Sequence, residues 1–481
     1  MRSIRSILLP LLAICCSGAS ANNIQVSNVT LSGQNTANNT WQVRFTVSWE
    51  NSWRTSTFES NWDAAWIFIK FRYPPVYNWQ HAVLSATGHS APAGGTIMVP
   101  ADRRGAFLYR SANGIGNVNY TNVELQWNYG ASGVADGDAI GISVHAIEMV
   151  YSPQGSFSVG DGSALYNGLH AGATPTVPYQ VISEAQLTLG TLVGAVNANN
   201  NLTDDFNYGT AQVLPAAFPK GFNAFYAMKY ELTRGQYLDF LNKLTAAQGT
   251  ARFASLTGAH PWEPFTSVGS PPAVYSGDHP DRPCAYLSVA DMLAYADWAA
   301  LRPLTELEFE KLCRGDRPPI SGEFAWGSAN IRPAMPPYTI GNLGQPDEIV
   351  TNPETGIYGN ANYLNTTVSY RSGIAAASVV NPTRVSAGAG YTGAMELSGN
   401  LMERCVGVGS AAGRSFGGAI GDGELTVAGS ADVAGWPTST GIVFRGGSFG
   451  PDADPLRLRV SNRALTSSSS ALTGARLGRT P

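Results

Sequence analysis

From residue 22 to about 145 the chain alternates apolar and polar side chains between turn clusters. In Trp41-Gln42-Val43-Arg44-Phe45-Thr46-Val47-Ser48-Trp49 every second residue is apolar, the period of a strand with one buried face. Ala64 to Phe71, Val123 to Trp127 and Ala139 to His145 read as further strands, and no helical period of comparable length interrupts them. Short strands separated by Gly, Asn and Pro turns predict an antiparallel β-sandwich over 22–145.

Beyond residue 146 the period changes. Glu231 to Leu244 carries apolar residues at helical spacing, with Thr233 placed to cap the N-terminus. Ser288 to Ala300 offers a broad apolar helical face, and a third helix is predicted from Thr305, with Glu308 at the capping-box position. The remainder, from about 315 to the end, is Gly-rich with few periodic runs. Residues 163–214 fit neither texture and read as an inserted loop or linker. The fold class expected is α+β, an all-β sandwich followed by a domain over 146–481 with much irregular backbone.

Composition narrows the classes. A chain of 481 residues can bury two or three cores. At 44% hydrophobic and 13% charged, it has enough apolar surface to offset chain entropy, which excludes a disordered protein. A net charge of -4 lacks the basic footprint of a nucleic-acid binder. No transmembrane segment is expected after the N-terminus. Arg2 and Arg5, the apolar run Ile7 to Ile14, and Ala19-Ser20-Ala21 form the pattern of a signal peptide over 1–21, cleaved near Ala21. The mature protein is therefore expected to be secreted: extracellular, periplasmic or cell-surface associated. Ile14 before Cys15 argues against a lipidated cysteine.

Cleavage leaves Cys284, Cys313 and Cys405, an odd count that allows at most one disulfide. No CxxC spacing suggests a thiolate metal site, so buried cysteines acting as small hydrophobes are expected. No GxSxG or GxxxxGK[ST] motif occurs.

The second half resembles the formylglycine-generating enzyme (sulfatase-modifying factor) family, whose domain is an elaborated C-type-lectin-like fold. Met149 to Gly160 looks like its opening strand and turn, and Tyr230 to Tyr237 like its first helix entry. Leu301-Arg302-Pro303-Leu304-Thr305-Glu306-Leu307-Glu308-Phe309-Glu310 is similar to "RLPTEAEWE", followed by Trp326-Gly327. Gly393 to Glu403 resembles "GLYDMAGNVWEW", Arg445 to Phe449 resembles "RGGSW", and Gly474-Ala475-Arg476 stands where the family has "GFR".

The resemblance implies chemistry that this chain departs from. The family's oxidase holds copper on two cysteines after the "GGS" element, and here Pro451 and Leu456 occupy those positions. No catalytic residue is assigned and copper is not expected. Related non-haem iron enzymes need an HxxxHxE-type site, and none of the six histidines is so spaced. The family's segment around "GNVWE" holds Ca2+, and the equivalent positions are Glu396, Gly399, Leu401 and Glu403; Ca2+ is the metal expected.

The C-terminus also resembles the non-catalytic variable proteins of diversity-generating retroelements, which display ligand-binding loops on this scaffold. That likeness implies a framework of Arg445, Ser461 and Arg463. It places Pro451, Asp452, Asp454, Leu456, Leu465, Thr466 and Ser468 on the displayed, ligand-binding surface. The function expected is ligand binding by a catalytically silent domain, with a protein or glycan at the cell surface as partner. Two alternatives stay open: an active oxidase converting a substrate cysteine to formylglycine, and a structural cell-surface component.

Overall fold

The computed structural model describes residues 23–481 apart from 76–77, 165–166, 200–203, 208–209, 254–255, 257–264, 270–273, 365–367, 451–454 and 464–469. Residues 1–21, expected from the sequence to be a signal peptide, lie outside the described residues. Eight strands come first: β1 (Gln25–Asn35), β2 (Thr40–Arg54), β3 (Asp63–Arg72), β4 (Gln80–His81), β5 (Gly95–Met98), β6 (Ala106–Arg110), β7 (Gly114–Asn128) and β8 (Gly141–Ser152).

β2 pairs antiparallel with β1 on one side and β7 on the other. Its alternation sends Val43, Phe45, Val47 and Trp49 inward and turns Arg44 outward, onto Glu124 of β7. The inward set shares a core with Ala65, Ile67, Ile69 and Phe71 of β3, closing the expected sandwich.

β3 differs from a sandwich strand in being buried on both faces. Its even positions, Ala64, Trp66 and Phe68, enter a second core with Tyr226, Tyr237, Phe240, Tyr295 and Trp298. This explains why 64–69 reads as an unbroken apolar run rather than an alternation. Lys70 continues that face, donates to the Gly423 carbonyl at 2.6 Å and lies 4.9 Å from the Trp298 ring. Burial pushes its pKa down to about 7.

The join between the two halves is a continuous sheet. β8 pairs with β3 along 141–150, and its last residues pair also with Phe225–Met228. That strand pairs in turn with Leu477–Arg479, which pairs with Arg302–Pro303. One eight-stranded sheet therefore runs from β5 at one edge to Arg302–Pro303 at the other, with β4 paired to β3. The boundary expected at 145/146 falls inside β8, because alternation along a strand carries no mark of where its neighbour changes. A buried ion pair, Lys229 to Glu148 at 3.0 Å, lies at this join beside Asp63, which accepts from Trp49 Nε1 and Ser52 Oγ at 2.8 Å each.

The helices follow their sequence signals. α1 (Arg234–Leu241), α3 (Val289–Trp298) and α4 (Glu306–Arg314) each begin at a capping box, on Thr233, Ser288 and Thr305. α2 (Ala246–Phe253) was not foreseen. Residues 163–214 are not a linker. They contain Leu169–Ala171, Leu187–Leu189, Val196–Ala198 and Gln212–Leu214 in a four-stranded sheet, whose Leu169, Leu189, Val196 and Leu214 reach the second core. Three-residue strands are too short for a period to show. Among the described residues no helix is long and apolar enough to cross a membrane.

Trp66 also donates to the Ala299 carbonyl at 2.9 Å, and the Arg479 guanidinium lies 4.0 Å from its ring. Trp66→Ala is expected to destabilise by about 3–5 kcal/mol in urea denaturation, and Ile69→Ala on the opposite face by about 2–5 kcal/mol. Because the sheet is shared, both should shift one cooperative transition; two separable transitions would show that the halves unfold independently.

Candidate functional site

α4 is the best-buried helix of the second domain: all nine of its residues are inside, although five of them are ionisable acids or bases. Charges so placed must be paired. Arg302 forks onto Glu308 at 2.8 and 2.6 Å. Glu306 accepts from Arg463 at 2.9 Å, Arg445 at 3.2 Å and the Val408 N–H at 2.8 Å. Glu310 accepts from Arg314 at 3.1 Å, from the Gly160 N–H at 2.7 Å and from Arg445. Arg463 reaches on to Asp204 at 2.7 Å, and Arg314 to Glu323. Burial alone would raise the Glu306 carboxyl, but Arg463 and Arg445 outweigh it and hold the group below its ordinary value.

A second layer lies behind. Met402–Val406 pairs antiparallel with Ile442–Arg445 and parallel with Thr473–Gly474, which brings Glu403 beside the C-terminal Arg476. Arg476 donates Nε and Nη2 to Glu403 at 2.9 and 2.7 Å and Nη1 to the Met228 and Lys229 carbonyls at 2.8 and 2.7 Å. After Arg445 the chain turns at Gly446 and Gly447, with φ of +83° and +67°. A Cβ at Gly446 would lie 2.9 Å from the Leu397 carbonyl oxygen, so both conformation and space require glycine there.

The signature residues Arg302, Glu306, Glu308, Glu310, Glu403, Arg445 and Arg476 thus all have buried ion-pair partners. The sulfatase-modifying factor enzyme 1-like domain matches residues 146–481, the whole of this scaffold. The chain belongs to this family. No curated protein matches it.

The family's cysteine chemistry finds no counterpart among the described thiols. Cys284, Cys313 and Cys405 are free and buried. Burial pushes the Cys284 thiol up to about 12 and raises those of Cys313 and Cys405 as well, away from the thiolate that copper binding needs. Of the expected display positions, Leu456 lies in a short 3-10 turn, Pro455–Leu458, and is half-buried. Pro451, Asp452, Asp454, Leu465, Thr466 and Ser468 lie outside the described residues. The framework residues Arg445, Ser461 and Arg463 are buried.

The four positions expected to hold Ca2+ are differently engaged. Both oxygens of Glu403 accept from Arg476. Gly399 and Leu401 would offer only their backbone carbonyls; their N–H groups donate to the Gly446 carbonyl and to Glu231 at 2.9 Å. Glu396 accepts from the Gly373 N–H at 2.7 Å, while its buried Oε2 has no protein donor. Of the four, only Glu396 lines a cavity of about 20 Å³, room for one water-sized species. Ca2+ on all four would require Arg476 to release Glu403. The set fits a Ca2+ shell poorly, and nothing below depends on one.

Glu231, not singled out in the sequence, completes this group: it accepts from Asn400 Nδ2 at 2.7 Å, and burial with Glu403 and Glu396 nearby raises its carboxyl well above the ordinary range. Also unforeseen are Asp297, Asp422 and Asp432, whose carboxylate oxygens lie within 4.8 Å of one another. Asp297 accepts the N–H groups of Asp422 and Asp432 at 3.0 and 3.1 Å, which clamps the 422–432 loop.

Two outcomes follow from the buried charges. Glu306→Ala leaves Arg463 and Arg445 short of a partner and is expected to cost about 3–5 kcal/mol by urea denaturation. Burial raises Glu396 from 4.5 to about 7. Between those values the folded protein keeps a proton that the unfolded chain has lost, so this group's contribution falls as pH rises, by at most about 1.4 kcal/mol per unit. Glu396→Gln should flatten the decline in Tm between about pH 5 and 7. An unchanged slope would mean that Glu396 is ionised throughout.

Proposed function

We propose that this is a secreted ligand-binding protein in which a catalytically silent sulfatase-modifying-factor scaffold presents its C-terminal loops to a cell-surface ligand. The observation that carries this reading is the absence of a usable thiol pair. Pro451 and Leu456 stand where the family resemblance puts the copper cysteines, and the three cysteines of the described chain are buried with raised thiols. The signature residues Glu306, Glu308, Glu310, Arg445 and Arg476 are all engaged in buried ion pairs, which supports a role for them in holding the scaffold. Of the chain after Ser448, Phe449, Leu458, Val460 and Arg463 are buried, so the variable positions of this reading are those at 451–456 and 465–468.

The test is Cu(I) titration of the mature protein, with a cysteine-peptide oxidation assay alongside. Neither tight binding nor turnover is expected. Turnover would establish the oxidase reading and direct attention to Cys284, Cys313 and Cys405. Concentration-dependent oligomers in sedimentation, without ligand binding, would favour a structural cell-surface component instead.

A further inference from the structure

Three ionisable side chains meet where the apolar run of β3 begins. Asp63 is the first residue of β3, Glu148 lies on β8, and Lys229 directly follows the strand Phe225–Met228. These strands are neighbours in the shared sheet, with β8 in the middle. All three side chains are buried, Asp63 completely. The Lys229 Nζ lies 3.0 Å from Glu148 Oε2 and 3.8 Å from Asp63 Oδ2. One lysine thus faces two carboxylates away from water, and a negative charge is left over unless one acid keeps a proton. Burial raises both Asp63 and Glu148. Burial alone would lower Lys229, but Glu148, Tyr230 and Asp63 outweigh it. The site therefore holds an ammonium, one carboxylate and one carboxylic acid.

The surroundings suit acyl transfer as well as pairing. Asp63 Oδ1 accepts from Ser52 Oγ at 2.8 Å and from the Trp53 N–H at 3.0 Å. Two donors on one oxygen steady the oxyanion of a tetrahedral intermediate. Oδ2, the oxygen beside the lysine, accepts from Trp49 Nε1 at 2.8 Å. The Lys229 N–H donates to the Glu148 carbonyl at 2.9 Å, and the rings of Trp53 and Tyr230 lie 5.2 and 5.3 Å from Nζ. An amine fixed this close to an acyl carbon has a high effective concentration, and burial excludes the water that opposes amide formation.

We propose that Lys229 and Asp63 condense into an intramolecular amide bond, with Glu148 carrying the protons. The reacting arrangement has the proton on Asp63 and Glu148 ionised. Glu148 takes a proton from Nζ, whose lone pair attacks Cγ of Asp63 and forms the C–N bond. The charge that develops on Oδ1 falls to Ser52 and Trp53. The Cγ–Oδ2 bond then breaks and Oδ2 leaves as water. Of the two protons that Nζ gives up, one departs on that water and one stays on Glu148. No oxidant, metal or further reactant is consumed. The bond would tie β3 covalently to the second domain, so the two halves stay joined even where their shared sheet opens. It lies apart from the C-terminal loops, so its failure leaves the display reading standing, and the converse holds too.

The test is the intact mass of the purified mature protein, measured after unfolding. The chain should be lighter than its sequence by one water, and digestion should yield one branched peptide joining the residues around Asp63 and Lys229. Lys229→Arg and Asp63→Ala should each restore the full mass, and Glu148→Gln should leave most chains unlinked. The mass of the unsubstituted chain decides the matter whether or not these variants fold. A full sequence mass for the folded protein after prolonged incubation at neutral pH would overturn the proposal. So would a loss of water that persists in Lys229→Arg. Bond formation at an unchanged rate in Glu148→Gln would overturn the role given to Glu148.

Discussion

Glu306 is fully buried between the guanidinium groups of Arg445 and Arg463, and the second domain is arranged around that fact. Arg445 and Arg463 come from distant parts of the chain to meet it, and Arg463 draws in Asp204 from the small four-stranded sheet region. Glu310, one turn along α4, adds Arg314 and the Gly160 N–H. Breaking any one pair leaves a charge stranded in a low dielectric, which costs far more than the pair contributes. The network thus constrains α4, the strand 442–445, the 204–205 turn and the segment before residue 464 to one mutual placement.

The first domain is bound to this centre through a shared sheet rather than a linker. β3 presents odd residues to the sandwich and even residues to the helices, so a single strand belongs to two cores. At the far edge Arg479 bonds Asp102 at 2.6 Å, tying the C-terminal strand to the turn before β6.

The structure also separates membership of the family from its chemistry. In this chain the residues that make the signatures recognisable are buried ion-pair partners and glycines that their turns require. The family resemblance puts the copper thiols on the segment after Ser448, where this sequence has Pro451 and Leu456.

What the sequence determined by itself was local. Alternation in β2 announced a half-buried strand, Thr233 and Thr305 announced their helices as caps, the apolar face after Ser288 announced another, and the ordered signatures announced the second domain. Each depends on neighbours in the chain. Tertiary structure alone decided that β3 is covered twice, that β8 crosses the domain boundary, that Asp204 answers an arginine 259 residues away, and that Lys229 meets Glu148 and Asp63 at the join. Those outcomes depend on which distant surfaces meet, and a side chain's local spacing carries no record of its partner across the core.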